Sequence, residues 1–228
     1  MNFIRTHMWD CAKKTAEYLL QIKAIKLQPS NPFTWASGWK SPIYCDNRKT
    51  LSFPEVRSFI RDSFAAMAKD LYPQAEMIAG VATGAIAHGV LTADKLGLPF
   101  IYVRSGAKEH GLGNQIEGYF EQGQKIVVIE DLISTGGSSL NAVNALREAG
   151  CDVLGMVAIF TYEFKKASEA FTSENCKLNT LSNYSVLVET AVETGYIGQT
   201  ELETLKNWRV DPASWGGLTP TPLPGDRG

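Results

Sequence analysis

Two adjacent carboxylates stand directly before a loop of small and hydroxyl-bearing residues. In the segment IVVIEDLISTGGS, Glu130 and Asp131 close an apolar run, and the loop behind them carries the hydroxyls of Ser134, Thr135 and Ser138. Such a loop at the start of a helix binds phosphate through its backbone N–H groups and hydroxyls. Carboxylates repel phosphate, but they accept hydrogen bonds from sugar hydroxyls and hold Mg²⁺, often through water. The pattern predicts a ligand that carries a phosphate beside a diol or a bound cation.

The loop matches neither of the two common nucleotide-binding motifs. It lacks the lysine of a GxxxxGKS or GxxxxGKT loop, and no GxGxxG sequence follows the apolar run. Both absences argue against an ATP-type phosphate loop and against a dinucleotide site. A strand-to-helix turn in which the two acids are incidental is the alternative interpretation.

A second segment gathers basic side chains among four glycines. Residues 103–118 read VRSGAKEHGLGNQIEG and carry Arg104, Lys108 and His110. The glycines leave the backbone free to change conformation, so the segment is suited to act as a lid. Positive side chains on a lid would neutralise the charge that grows on departing phosphate oxygens. An ordinary solvated hairpin is the alternative.

Short β-branched runs alternate with helical patterns through the middle of the chain. The patterns predict strands at 77–82, 99–103, 125–130 and 153–160, and helices at 84–96, 138–149, 184–193 and 200–208. Gly97 and Gly150 close the first two of these helices. Such alternation indicates an α/β fold, a central parallel sheet with helices on both faces. The two acids would then lie at the carboxyl ends of the strands, where open parallel sheets bind ligands.

Two further helices are predicted in the N-terminal part. One covers residues 8–20, and the other opens at SFPE, where Ser52 and Glu55 form a capping box and Pro54 takes an early helical position. The buried stripe of the second helix is predicted to consist of Val56, Ile60, Phe64, Met67 and Leu71. Between the two helices, the Pro-, Gly- and aromatic-rich segment KLQPSNPFTWASGWKSPIYCDNR indicates loops and short strands.

These patterns give a single domain over residues 1–215. A small hood comes mainly from residues 1–50, the core covers about residues 71–161, and residues 216–228 form a Pro- and Gly-rich tail to which no function is assigned.

The composition is that of an ordinary soluble globular protein. Apolar residues make up 44% of the 228 residues, and the net charge of -2 gives no general attraction to nucleic acids or membrane surfaces. The four cysteines are scattered without metal-ligand spacing, and no apolar run approaches the roughly 20 residues that span a bilayer. We therefore expect a cytoplasmic protein that binds a small ligand and neither nucleic acid nor membrane.

The run of apolar residues, paired acids and Thr-Gly-Gly-Ser loop resembles the 5-phosphoribosyl-1-diphosphate (PRPP) signature of type I phosphoribosyltransferases. The resemblance implies the fold of that family. It also implies that Glu130 and Asp131 contact the ribose hydroxyls and that Mg²⁺, the implied cofactor, reaches these acids with PRPP, in part through water. The 5-phosphate would bind the loop residues Ser134, Thr135, Gly136, Gly137 and Ser138.

Two more regions resemble one sub-family, the orotate phosphoribosyltransferases. AKEHG followed by IEG is similar to their catalytic loop, which implies that Arg104, Lys108 and His110 act in catalysis together with Asp131. FTWASGWKSPIYCDNR is similar to the segment that covers their orotate pocket. By position, the implied orotate contacts are Lys26, Ser37, Gly38, Ser134 and Tyr162. Tyr162 stands where many relatives have an arginine.

The turn at Thr83 and Gly84 matches the position of the family's pyrophosphate loop, and His88 on the helix that follows is expected to be a packed or surface residue. The resemblance further implies a homodimer in which the lid, residues 104–117, reaches into the partner's site. The expected reaction makes orotidine 5-monophosphate and pyrophosphate from orotate and PRPP. A purine-base phosphoribosyltransferase and a non-catalytic PRPP-sensing regulator are the alternatives.

Overall fold

The computed structural model describes residues 2–35, 38, 40–104 and 115–215, with side chains from residue 9 onward. Its helices are α1 Asn2–Gln21, α2 Pro54–Leu71, α3 Ile86–Leu96, α4 Gly137–Glu148, α5 Lys165–Ser173, α6 Tyr184–Glu193 and α7 Gln199–Val210, with a 3₁₀ helix at Asn47–Ser52. Its strands are β1 Ile25–Leu27, β2 Phe33–Thr34, β3 Lys40–Ser41, β4 Ile43–Cys45, β5 Met77–Val81, β6 Phe100–Val103, β7 Ile116–Glu117, β8 Lys125–Ile133, β9 Asp152–Thr161 and β10 Leu178–Asn183.

A six-stranded sheet forms the centre of the fold, in the order β10-β9-β8-β5-β6-β7. All neighbouring strands in it are parallel except β7, which pairs antiparallel with β6. The parallel α/β sheet that the alternating pattern predicts is confirmed. The strand order places β8, which carries the acidic pair, beside β5, which leads into the Thr83–Gly84 turn.

Helices cover both faces of this sheet, because alternate residues of each buried strand point to opposite sides. Ile78, Val127 and Ile129 pack into a core with residues of α1, α2, α6 and α7. Met77 and Val128 point the other way, into a second core with residues of α4 and α5. Burial on both faces explains why these strands read as continuous apolar runs.

The start of α2 differs from the prediction. Phe53 is the N-cap residue and no side chain makes a capping hydrogen bond, so the capping box of Ser52 and Glu55 is wrong. The carboxylate of Glu55 instead accepts a hydrogen bond of 2.7 Å from the hydroxyl of Tyr18 in α1. Pro54 is the first residue of the helix, as predicted.

The buried stripe of α2 is correct in its first half only. Val56, Ile60 and Phe64 are buried, whereas Leu71 is 39% exposed. The contact moves to Ala65 and Ala68 toward the end of the helix. The last turns of α2 therefore face the core through Ala65 and Ala68 rather than through Leu71.

Two elements lie in a region for which no structure was predicted. The helix α5 has a polar sequence, KKASEAFTS, and buries only Ala167 and Phe171. The strand β10, LNTLSN, has no β-branched apolar residue, although it pairs in parallel with β9 along most of its length. Weak local patterns of this kind become regular structure because the neighbouring elements supply the packing.

An aromatic cluster joins the N-terminal segment to the last helix. The ring of Trp35 lies 5.3 Å from that of Tyr162 and 5.7 Å from that of Trp208 in α7, and Trp208 is fully buried. Nearby, β1 pairs with β4 and β2 with β3, which confirms short strands in this segment. The division into a hood at about residues 1–50, a core at about 71–161 and a tail at 216–228 stays a prediction.

Candidate active site

One cavity of about 420 Å³ lies at the carboxyl ends of β5 and β8. Its lining includes six residues that the sequence assigned to phosphate, ribose or pyrophosphate binding or to catalysis: Thr83, Gly84, Arg104, Glu130, Asp131 and Ser138. Ala82, in the same turn as Thr83, lines it as well. Cys45, Asp46 and Arg48 complete it on the side of the N-terminal segment, together with Val81 and Leu132. Residues far apart in the chain therefore meet at the edge where a parallel sheet binds ligands.

The two acids lie inside β8 rather than after it, since the strand continues to Ile133. Glu130 is 5% exposed, and both of its carboxylate oxygens accept hydrogen bonds of 2.8 Å, one from the backbone N–H of Asp131 and one from the hydroxyl of Ser139. Burial, and then the neighbouring Asp131 carboxylate, raise the pKa of Glu130 above its usual range. Ser139 has no assigned role in the sequence interpretation, although it lies next to the predicted loop.

Asp131 is more accessible than Glu130, and its carboxylate reaches the turn after β5. The carboxylate contacts Gly84 so closely that a Cβ at that position would clash with it. The backbone carbonyl of Asp131 accepts a hydrogen bond of 2.5 Å from the side-chain amide of Asn47. Asp131 is thus the accessible acid of the pair, and its carboxylate lies beside the turn that is assigned to pyrophosphate.

The loop after β8 has the geometry of an anion cradle. Ser134, Thr135 and Gly136 form the bend, and α4 begins at Gly137. Gly136 has a φ of 86°, a left-handed conformation that favours glycine, and the ring of Phe171 lies against its Cα. Within the described chain no side chain caps this helix terminus. Its first N–H groups therefore remain available to an anion.

The ends of the predicted lid are joined at the cavity. β6 and β7 pair through Tyr102 and Glu117, and the N–H of Arg104 donates a hydrogen bond of 2.8 Å to the carbonyl of Gln115. The guanidinium of Arg104 lies 3.5 Å from the carboxylate of Glu117. Lys108 and His110 lie outside the described residues, so their assignment stays a prediction.

Two charged residues of the cavity are absent from the sequence interpretation. Nε of Arg48 donates a hydrogen bond of 2.7 Å to the carboxylate of Asp46, and the Arg48 side chain is 62% exposed. This contact lowers the pKa of Asp46 and keeps it ionised. Both residues belong to the quoted segment SPIYCDNR, whose cluster of charged and polar residues was a usable signal.

None of the described residues assigned to orotate, which are Lys26, Gly38, Ser134 and Tyr162, lines this cavity. Lys26 is partly buried in β1, opposite Tyr44. Gly38 has a φ of 84° and its N–H donates a hydrogen bond to the carbonyl of Trp35, and Ser37 lies outside the described residues. Tyr162 is 3% exposed in the aromatic cluster, and burial raises its pKa well above the usual value.

His88 is a packed residue, as expected. It is 1% exposed on α3, its Nε2 lies 3.2 Å from the hydroxyl of Thr50, and its ring meets Phe64 edge-on. Burial lowers its pKa to about 4, although the charge of Asp131 opposes the shift. Its ring is therefore neutral at physiological pH.

The donor set fits a cation that arrives with its ligand rather than one held by protein alone. In the part of the chain that the structure describes, no three His, Cys, Asp or Glu side chains are grouped as a metal site. Both oxygens of Glu130 already accept hydrogen bonds, so Asp131 is the acid of the pair whose carboxylate could contact such a cation. Mg²⁺ is commonly bound by one or two carboxylates together with substrate phosphates and water, and these residues are compatible with that arrangement.

Comparisons with known proteins show the family of the chain. The model of the phosphoribosyl transferase domain matches residues 56–194, and the chain belongs to the phosphoribosyltransferase family. The chain is 59% identical over 203 residues to the orotate phosphoribosyltransferase of Phocaeicola vulgatus. The alignment covers 89% of this chain and 96% of that protein. It is 57% identical over 204 residues to the orotate phosphoribosyltransferase of Lactococcus lactis, and this alignment covers 90% of this chain and 98% of that protein. Within the family the chain belongs to the orotate phosphoribosyltransferases, and the resemblance drawn from the motifs is confirmed.

A solved structure shares the fold. The crystal structure of orotate phosphoribosyltransferase from Aeropyrum pernix superposes with a TM-score of 0.70 at 26% identity, covering 80% of this chain and 99% of that one. The predicted type I phosphoribosyltransferase fold is thereby confirmed. Among the helices that the structure describes, none is both long and apolar enough to cross a bilayer.

Proposed function

We infer that this protein transfers the 5-phosphoribosyl group of PRPP to orotate and releases orotidine 5-monophosphate and pyrophosphate, a step of pyrimidine nucleotide synthesis. Membership of the orotate phosphoribosyltransferases supports the reaction. The observation that assigns the reaction to named residues is that Asp131, the Thr83–Gly84 turn and the start of α4 line one cavity.

The donor would lie between the acids and the loop. The uncapped N-terminus of α4, with the hydroxyls of Ser134, Thr135 and Ser138, would hold the 5-phosphate. The carboxylate of Asp131 would accept hydrogen bonds from the ribose hydroxyls, and Glu130 would support it from behind through the N–H of Asp131. Fixing the ribose in this way orients the carbon that is attacked.

The leaving group would lie on the opposite side of the ribose. Backbone N–H groups at Thr83 and Gly84 can bind its oxygens, and Arg104 lines the same cavity. Negative charge grows on these oxygens as the bond to the sugar breaks, so the lid residues Lys108 and His110 would act by neutralising it. No covalent nucleophile is required. Mg²⁺, bound to PRPP and contacted by Asp131, would supply further neutralisation of the pyrophosphate charge.

The acceptor pocket is proposed from Lys26, Ser37, Gly38, Ser134 and Tyr162. An ammonium group at Lys26 suits the carboxylate of orotate, whereas a neutral purine offers no such charge. The contact of Tyr162 with Trp35 of the N-terminal segment, at 5.3 Å between ring centroids, supports its place here.

The active form is proposed to be a cytoplasmic homodimer that shares the lid, residues 104–117. Exposed apolar side chains support a partner surface, since Val90 on α3 is 45% exposed and Phe53 is 41% exposed. The hydrogen bond from the N–H of Arg104 to the carbonyl of Gln115 joins the two described ends of this segment.

Ultraviolet-monitored loss of orotate with PRPP and Mg²⁺ tests the reaction. We expect metal-dependent loss of orotate and no loss of adenine or hypoxanthine, and Asp131→Asn serves as a matched variant of the same size without the carboxylate charge. Loss of a purine would assign a different acceptor. No turnover of any base by the wild type, with PRPP binding retained, would indicate the sensing regulator.

A further inference from the structure

The strand that carries the acidic pair loses one of its neighbours at the active site. The pairing of β5 with β8 ends at Gly80 and Ile129, while β8 continues to Ile133 against β9. Asp131 lies two residues beyond Ile129 and points its backbone N–H and C=O to the side that β5 has left. Buried backbone groups require other partners at such a point.

Side chains supply both partners. The N–H of Asp131 donates to Glu130, and its C=O accepts the 2.5 Å hydrogen bond from the amide of Asn47. Asn47 is 1% exposed and comes from the 3₁₀ helix at Asn47–Ser52, far away in sequence. The backbone of the accessible acid is therefore held by the N-terminal segment and by no strand on that side.

Asn47 is held in turn by a buried chain of hydrogen bonds that ends at His88. The hydroxyl of Thr50 donates to the carbonyl of Asn47 at 2.5 Å and lies 3.2 Å from Nε2 of His88. Since that hydroxyl has a single proton and donates it to Asn47, it accepts from Nε2–H of His88. Nδ1 of His88 is then the unprotonated nitrogen, and it has no hydrogen-bond partner in the described structure.

We propose that His88, Thr50 and Asn47 form a positioning relay that fixes the backbone of Asp131 and thereby aims its carboxylate into the cavity. The relay connects α3, which follows the Thr83–Gly84 turn, to β8, which carries the acid. It sets the distance between the parts assigned to pyrophosphate and to ribose. None of the three residues contacts substrate in this arrangement, so each acts through Asp131. The consequence for catalysis rests on the proposed function.

The chain offers a matched pair of variants to test the relay. Thr50→Val removes the buried hydroxyl between Asn47 and His88 and keeps the side-chain shape. Thr92→Val removes a second buried hydroxyl, which donates a hydrogen bond of 2.8 Å to the carbonyl of the same His88 but does not lead to Asp131. If the two hydroxyls only stabilise the fold, Thr50→Val and Thr92→Val should change kcat/KM equally. The relay predicts a loss of about tenfold in kcat/KM for PRPP with Thr50→Val only, at unchanged KM for orotate.

Two variants of His88 add a rescue. His88→Gln keeps an N–H donor near the position of Nε2 and is expected to retain kcat/KM for PRPP, whereas His88→Met removes the donor and should lose about as much as Thr50→Val. Equal losses for Thr50→Val and Thr92→Val, or wild-type kinetics in Thr50→Val, would overturn the proposal. So would equal losses for the Gln and Met variants.

Calorimetric titration of PRPP with Mg²⁺, without orotate, separates this proposal from the assignment of the reaction. If the wild type binds PRPP but turns over no orotate, the reaction is wrong and the variants still report on the relay through PRPP affinity. Weaker binding in Thr50→Val than in Thr92→Val supports the relay. Equal affinities in both variants reject it.

Discussion

The carboxylate of Asp131, in β8, lies in direct contact with the backbone of Gly84, in the turn after β5, although the two residues are far apart in the chain. The contact exists because β5 and β8 are neighbours in the sheet and both end at the same edge. It leaves no room for a side chain at position 84. Two functions that the sequence assigns separately, ribose binding and pyrophosphate binding, therefore share one surface.

Gly84→Ala should displace the Asp131 carboxylate and reduce kcat/KM for PRPP by about 100-fold, since a misplacement near 1 Å has that effect on a positioned group. Gly198→Ala is the control, because a Cβ there would lie 3.8 Å from the nearest atom, on Glu201. Steady-state kinetics of both variants check the prediction. Wild-type kinetics in Gly84→Ala would show that the acid is not held against this turn.

Two adjacent serines should separate stability from ligand binding. Ser139→Ala leaves a buried oxygen of Glu130 without its donor and should lower the free energy of unfolding by about 1–3 kcal/mol. Ser138→Ala changes an exposed hydroxyl and should alter it by less than about 0.5 kcal/mol, while weakening PRPP binding. Urea unfolding and PRPP titration measure the two effects. The reverse order of stabilities would contradict the burial of Glu130.

The stability of the protein should depend on His88 in mildly acidic solution. Its folded pKa of about 4 lies below the unfolded value near 6.5, so the unfolded chain binds the proton more readily between these values. The stabilisation is complete above pH 6.5 and is lost as the pH falls toward 4, by up to about 3 kcal/mol. Unfolding of wild type and His88→Gln across this range checks the sign. An equal pH dependence in both proteins would refute it.

Two buried tyrosines should respond differently to removal of the hydroxyl. If Tyr162 contacts orotate, Tyr162→Phe should raise KM for orotate about tenfold, the effect of one hydrogen bond to a charged group, and leave KM for PRPP unchanged. Tyr184→Phe removes the hydrogen bond from its hydroxyl to the carbonyl of Leu205 and should cost about 1 kcal/mol of stability without a change in KM. An unchanged KM for orotate in Tyr162→Phe would remove that residue from the acceptor pocket.

Sharing of the lid between subunits predicts complementation. Lys108→Ala and Asp131→Ala should each be nearly inactive, because one lacks a lid charge and the other lacks the ribose contact. After mixing and subunit exchange, half of the dimers carry one intact site, so about a quarter of wild-type turnover should return. Absence of recovery, with exchange demonstrated by mass, would argue that each lid serves its own subunit.

The parts of the site that were predicted from the sequence are those with a local pattern. Glu130, Asp131 and the loop behind them follow one another in the chain, and Gly97 ends α3 in the left-handed conformation expected of a helix C-terminus. Continuous apolar strands predicted the parallel sheet for the same reason. A short segment is enough to predict a structure when the interactions that determine that structure lie within the segment.

The contacts that were not predicted are made between distant parts of the chain. Asn47 donates to a carbonyl 84 positions away, and Thr50 meets His88 across 38 positions. Glu55 reads as half of a capping box but bonds to Tyr18 on another helix. No periodicity encodes such pairs, because each depends on how the elements pack.

The contact between Trp35 and Trp208 has a consequence for how the protein is made. Because α7 follows every other described helix and strand, Trp35 and Tyr162 gain their last aromatic neighbour only after the whole sheet has left the ribosome. Domains fold as their segments emerge during synthesis. The cavity at the ends of β5 and β8 can therefore assemble on the nascent chain, while the aromatic cluster that is proposed to face the base is completed last.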